Sequence, residues 1–312
     1  MKAINQYIRT NFLEDKSVKS LWKVLNGART QQTYFDAVMQ DLLPVYELYP
    51  NVSLDDIEKQ ILRLDSGNNI KLYPYFHYAT DISFTGLLLL LQSVSENLHH
   101  SSDYIPMTNR LFIQQHVKMI FAHIKNENLF MELAKEVEQL VQYVEKETGT
   151  CYFIHLLSGH DITPASYELL AIQYNKAIDD IAAQIFIEKN IILHWIKYQS
   201  PDILKQLYAR TPLHLNTNDT YKRLLSGASI ETIQHEKGVR IHTIQDHIIE
   251  ILIKDYPLDI SLFLSHKEYQ LISKILEEHQ FGRLKSYFEL SPVKDYFKLK
   301  LAIVKHKMER LI

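Results

Sequence analysis

Gly238 stands between two isoleucine runs in SIETIQHEKGVRIHTIQDHIIEIL, Ser229 to Leu252. Ile230, Ile233, Ile241, Ile244 and Ile248 recur at the spacing of helices with one buried side. A glycine between them lets the chain leave a helix through positive φ at little cost. The run therefore predicts a helix, a tight turn and a second helix that starts near Arg240–His242 and buries Ile241, Ile244, Ile248 and Leu252. Ser229 suits the N-cap, with Glu231 in the first turn, where acids are favoured. NDTYKRLLSGA precedes it as a further helix carrying Tyr221, Leu224 and Leu225 and ending at Gly227. Three helices in this order make a helix-turn-helix domain.

The remainder reads as mainly all-α and multi-helical. Gly (8) and Pro (9) are scarce among 312 residues, which leaves few tight turns. SVKSLWKVLN, Ser17 to Asn26, has helical spacing and meets Gly27; Ser53 is an N-cap candidate before Leu54, Ile57 and Ile61. SGNN, from Ser66 to Asn69, turns the chain, and the aromatic IKLYPYFHYAT, Ile70 to Thr80, can pair as a short hairpin. That order suits a winged helix, and a helical domain with an incidental hairpin accounts for it equally. From about residue 87 to 210 the chain is helical, with Leu111, Phe112, Val117, Ile120 and Phe121 on one stripe. Thr163 with Pro164, and Ser200 with Pro201, read as helix starts, as do Ser291 and Pro292 ahead of an apolar side running from Val293 to Leu311. Residues 177–196 echo 229–248 weakly, which a second helix-turn-helix would explain, but Phe186 stands where Gly238 stands, and a shared helical period explains most of the match. The expected domains are a winged-helix-like 1–90, a helical 91–210 and a helix-turn-helix 211–312.

The chemistry-bearing motifs that can be excluded are informative. No GxxxxGK[ST] loop, no GxGxxG after a strand and no HExxH occurs, which disfavours a motor or metalloprotease. Glu96 and His99 have the Glu-x-x-His spacing of di-iron bundles, yet no second copy exists. Ser158 to Asp161, SGHD, place nucleophile-like residues side by side, where they point apart and form no triad. One cysteine, Cys151, rules out an intramolecular disulfide framework and fits a reducing cytoplasm. The N-terminal stretch lacks a signal-peptide core, and LLLLL, Leu87 to Leu91, is too short to span a bilayer. The expectation is a cytoplasmic protein without enzymatic activity, cofactor, metal or membrane contact.

Charge points toward nucleic acid, weakly. The chain is acidic overall at −3, but residues 283–312 hold eight basic and three acidic side chains. Lys294, Lys298 and Lys305 fall on one face of the last helix and Lys300 and Lys307 on another, a stripe able to meet phosphate or only to keep the helix solvated. In the helix-turn-helix, His242, Thr243, Gln245 and Asp246 are the exposed positions of the second helix. Base edges are best read by Arg, Asn and Gln, and Asp246 is repelled by phosphate. Lys222, Arg223, Lys237 and Arg240 lie at the margins, a pattern suited to backbone contact. The candidate DNA-binding set is Arg223, Lys237, Arg240, His242, Thr243, Gln245, Lys294, Lys298 and Lys305.

TYKRLLSGASIETIQHEKGVRIHTIQDHIIE and GRLKSYFELSPVKDYFKLKLAIVKH together resemble the helicase-associated helix-turn-helix domain found in some RecQ-type DNA helicases and in the YpbB family. GARTQQTYFDA, Gly27 to Ala37, is similar to the N-terminal part of YpbB-like proteins. Gln234, His235 and Arg240 depart from the usual pattern. The resemblance implies a non-enzymatic accessory of a RecQ-like helicase that binds DNA, the helicase or both, in DNA repair or replication. The alternative is a protein–protein adaptor that keeps the scaffold without binding DNA.

Overall fold

The computed structural model describes residues 1–65, 67, 70–101 and 103–309. The expected roles of Ser66, Asn68 and Asn69 in a turn, and of Leu311 in the last helix, lie outside the described residues. The all-α expectation holds: the described residues form fifteen α-helices and no strand, with one isolated bridge between Gly159 and Ile162. In chain order α1 (Lys2–Asn11), α2 (Val18–Leu25), α3 (Gln31–Met39) and α4 (Leu54–Gln60) come first. Next are α5 (His77–Leu98), α6 (Leu111–Asn126), α7 (Phe130–Thr148), α8 (Tyr167–Tyr174) and α9 (Ile178–Tyr198). Last come α10 (Leu215–Leu225), α11 (Ile230–Lys237), α12 (Ile241–Ile253), α13 (His266–Glu278), α14 (Leu284–Leu290) and α15 (Tyr296–Glu309). Helix starts follow local rules: Ser53 and Ser265 each close a capping box, with Asp56 and Glu268 respectively.

Two compact units result, each assembled from separated segments. The first comprises residues 1–4, 70–73 and 77–209; the second comprises 5–69, 74–76 and 210–312. This grouping differs from three consecutive segments, because helices near the two ends of the chain share one unit.

In the first unit α5 packs on α6 and α9, while α7 and α8 also lie against α9. The LLLLL run sits inside α5 with Leu87 to Leu90 buried, so its apolarity serves a core. Two buried carboxylates replace missing backbone partners. Glu188 accepts from the N–H groups of Tyr152 and Phe153 at 2.9 and 2.8 Å, and Glu136 accepts from those of Ile203 and Leu204 at 2.9 Å each. Each carboxylate thereby caps a short 3₁₀ turn, Tyr152–Leu156 and Leu204–Leu207.

Several expectations are corrected here. The hairpin over 70–80 does not form, and the winged-helix reading goes with it. Asn190 takes both the N–H and the carbonyl of Tyr73, at 2.7 and 3.0 Å, and Pro74 has no N–H to offer a ladder. Residues 178–198 are one continuous helix, α9, so no second helix-turn-helix lies there. Helix α8 starts at Ser166 rather than Thr163, and α15 starts beside Asp295 rather than Ser291. Ser200 opens no α-helix; its hydroxyl donates to Glu136 instead. Leu111 and Phe112 are exposed, so the buried stripe of α6 is Ile113, Val117, Ile120 and Ile124.

In the second unit α3, α10, α11 and α15 all pack against α12, and α13 and α14 pack on α15. Helix α12 is the centre of this unit.

Candidate nucleic-acid interface

The helix-turn-helix forms as its local chemistry requires. Ser229 Oγ accepts from the Thr232 N–H at 3.1 Å and starts α11. Gly238 ends it at φ +62°, the left-handed conformation that a side chain disfavours. Arg240 is the extended residue before α12, and its side chain makes no cap bond. Ile233, Ile244 and Ile248 are fully buried.

Tertiary packing then removes most of the face that a recognition helix would present. From Ile244 onward α12 buries Ile244, His247, Ile248, Ile249, Glu250, Ile251 and Ile253. A helix covered on nearly all sides belongs to a core. Only its beginning reaches solvent: Ile241 and His242 are exposed, and Thr243, Gln245 and Asp246 are half-buried. Asp246 is held at 2.9 Å by Lys300 of α15.

A buried polar knot fixes α12 in this position. Glu250 accepts from Lys254 Nζ and Thr217 Oγ1 at 2.6 Å each, from the His214 N–H at 3.0 Å, and from the Gln31 amide. Burial pushes the Glu250 carboxyl up, but these bonds outweigh it and hold the group below the usual carboxylate range. Lys254 also donates to the Pro212 carbonyl at 2.8 Å and lies 4.7 Å from the Tyr34 ring. The knot ties α12 to α10 and α3. The Glu–Lys spacing of four residues was visible in the sequence, but its burial was not.

The expected DNA-binding residues separate into engaged and free groups. Arg223 is bound to Asp219 and Glu236, and Lys237 reaches Asp219 and the Asn216 carbonyl. Lys298 pairs with Glu268 at 2.6 Å, and Lys305 with Glu309 at 3.3 Å. Lys294 donates to the carbonyls of Phe288 and Glu289 at the end of α14. Lys300 and Lys307 pair with Asp246 and Asp41. The lysines of α15 thus serve as internal tethers to α13, α12 and the end of α3, and do not form an open stripe. Arg240, His242 and Lys222 remain exposed, and Arg240 and Lys222 have no charged partner among the described residues.

Elsewhere, Glu96 faces His160 at 3.5 Å, and His160 stacks on His99, but among the described residues no group of three or more ligating side chains could hold a metal ion. Burial pushes the Cys151 thiol up to about 12, which disfavours a reactive thiolate. No helix among the described residues is long and apolar enough to cross a membrane.

Comparison with known proteins agrees with the C-terminal geometry. Residues 216–303 match a family model described as a helix-turn-helix domain. Over 241 residues, covering 74% of this chain and 67% of the relative, the chain is 21% identical to Protein YpbB of Bacillus subtilis (strain 168). No solved structure matches the chain.

Proposed function

We propose that this chain is a non-enzymatic, cytoplasmic DNA-binding accessory of a RecQ-like helicase, acting in DNA repair or replication. It holds the phosphate backbone at the turn of its helix-turn-helix and does not read bases. The observation that carries this reading is the burial of α12 from Ile244 onward inside a helix-turn-helix domain. A helix closed in this way offers the major groove no side-chain row, which leaves its margins as the contact. Arg240 and Lys222 are the free cations there, and backbone contacts position a protein without specifying sequence. The helicase link is supported by the resemblance of residues 215–312 to helicase-associated modules.

Fluorescence anisotropy with labelled duplex and forked DNA tests this at about 50 mM salt, where phosphate contacts are strongest. Binding should appear, be nearly independent of sequence and weaken in R240E and K222E. No binding of the full chain to either DNA under those conditions would sink the proposal.

A second reading, the protein adaptor, is favoured by apolar exposure in the first unit. Leu169 and Ile172 of α8 are 59% and 79% exposed. On that reading L169S/I172S abolishes recovery of the helicase in a pull-down while DNA binding is unchanged.

A further inference from the structure

The second unit contains another hairpin, outside the segment 216–303, that resembles α11–α12 in its serine-capped first helix and its turn glycine, with a connection of five residues in place of three. Helix α2 has eight residues, as α11 has, and Ser17 caps it by accepting from the Ser20 N–H, as Ser229 does from Thr232. Gly27, one residue past the Asn26 cap of α2, has φ +74°, and Gly238, itself the cap of α11, has φ +62°. Thr30 is the extended N-cap of α3, accepting from the Thr33 N–H. The two second helices, α3 and α12, pack against each other, and α3 is buried from Thr33 to Met39. In each hairpin the outer side of the first helix is open to solvent; the turn at Gly238 is exposed, whereas Gly27 is itself buried against Glu47 and only Arg29 and Thr30 of that turn are exposed.

The two first helices differ in charge. Helix α11, IETIQHEK, carries Glu231 and Glu236, and Glu236 holds Arg223. Helix α2, VKSLWKVL, carries two lysines and no acid. Its inward positions are occupied: Leu21, Val24 and Leu25 are buried, Ser20 donates to Asp36, and Trp22 donates to the Val52 carbonyl. Lys19 and Lys23, four residues apart and so on one face, are exposed and have no partner among the described residues. The acids that contact this hairpin are already engaged, Asp36 by Lys16, Ser20 and Gln32, and Glu47 by Arg29. Two like charges left together and unneutralised on an otherwise satisfied helix fit a polyanion, which gains from releasing its counterions on contact.

We infer that α2–α3 is a second helix-turn-helix hairpin and that Lys19 and Lys23 of its first helix contact the DNA phosphate backbone. The inference rests on the DNA-binding reading proposed above. Its test is anisotropy of the full chain on a labelled duplex across a salt series, comparing wild type with K19E/K23E and R240E. Both positions of the double variant are exposed, so an unchanged thermal melt is expected to accompany the binding data. The expected result is at least a tenfold loss of affinity at about 50 mM salt, with the slope of log K against log salt shallower by about two, one for each lost phosphate contact. K19E/K23E binding like wild type, while R240E binds weakly, would overturn this inference and leave the DNA-binding reading intact. Absence of wild-type binding would overturn both.

Discussion

Glu250 Oε1, on α12, lies 2.6 Å from the Nζ of Lys254, the residue that ends the helix one turn later, and neither side chain reaches solvent. An ion pair in such a place is costly to break from one side, because the survivor keeps its charge without its partner. K254M and E250Q should each lose about 3–5 kcal/mol of unfolding free energy in urea titrations. Replacing both with apolar residues should recover a large part of that loss. A loss in the double variant equal to the sum of the two single losses would show that the pair contributes no coupling.

His194 stacks on Tyr73 with ring centroids 3.5 Å apart. Burial lowers its pKa from the ordinary 6.5 to about 4, helped by Lys71 and Lys197. A histidine with a depressed folded-state pKa stays neutral in the native state while the unfolded chain takes up a proton. Its contribution is therefore complete above 6.5 and declines as pH falls toward 4, by an amount of about 3 kcal/mol at most. Urea midpoints measured from pH 7 to pH 4 should decline in wild type and decline less in H194F.

The two turn glycines should respond unequally to alanine. A Cβ on Gly238 meets nothing within 4 Å, so G238A should cost about 1–2 kcal/mol, the conformational penalty alone. A Cβ on Gly27 would stand 2.7 Å from the Glu47 Cβ in addition to its positive φ, so G27A should cost more. Denaturant titrations of the two variants decide the order.

Asp246 and Lys300 form a partly exposed pair beside the open end of α12. D246N should change stability by less than about 1 kcal/mol, as such pairs do. The variant removes a negative charge from the proposed contact and releases Lys300, so duplex affinity at low salt should rise. Unchanged affinity would place DNA away from this end of the helix.

The helix-turn-helix itself was legible in the sequence because its determinants are local. Ser229, Gly238 and the isoleucine spacing each act within a few residues; the cap, the turn and the burial of Ile233, Ile244 and Ile248 appear as read, while Ile241, expected inside, is exposed at the start of α12 and Leu252 is half-buried. The corrected elements fail for a shared reason. Thr163, Ser200 and Ser291 have capping chemistry but lost the position to Ser166, to a bond with Glu136 and to Asp295, and the 70–80 aromatics were claimed by Asn190 and by helix α5. Propensity proposes a start or a strand, and distant partners decide among the proposals.

The candidate site shows the same division. By itself the sequence determined the helical composition and the tri-helical order of α10–α12, and it placed an acid, Asp246, on the open side of the second helix. Only the tertiary structure decided which surface is open. Lys298, Lys300 and Lys307 meet their acids 30, 54 and 266 residues away, and α12 is covered by α3 from the other end of the chain. A helical period shows that a helix has an apolar side, but the partners that cover its other sides and neutralise its charges are chosen by packing between segments far apart in sequence.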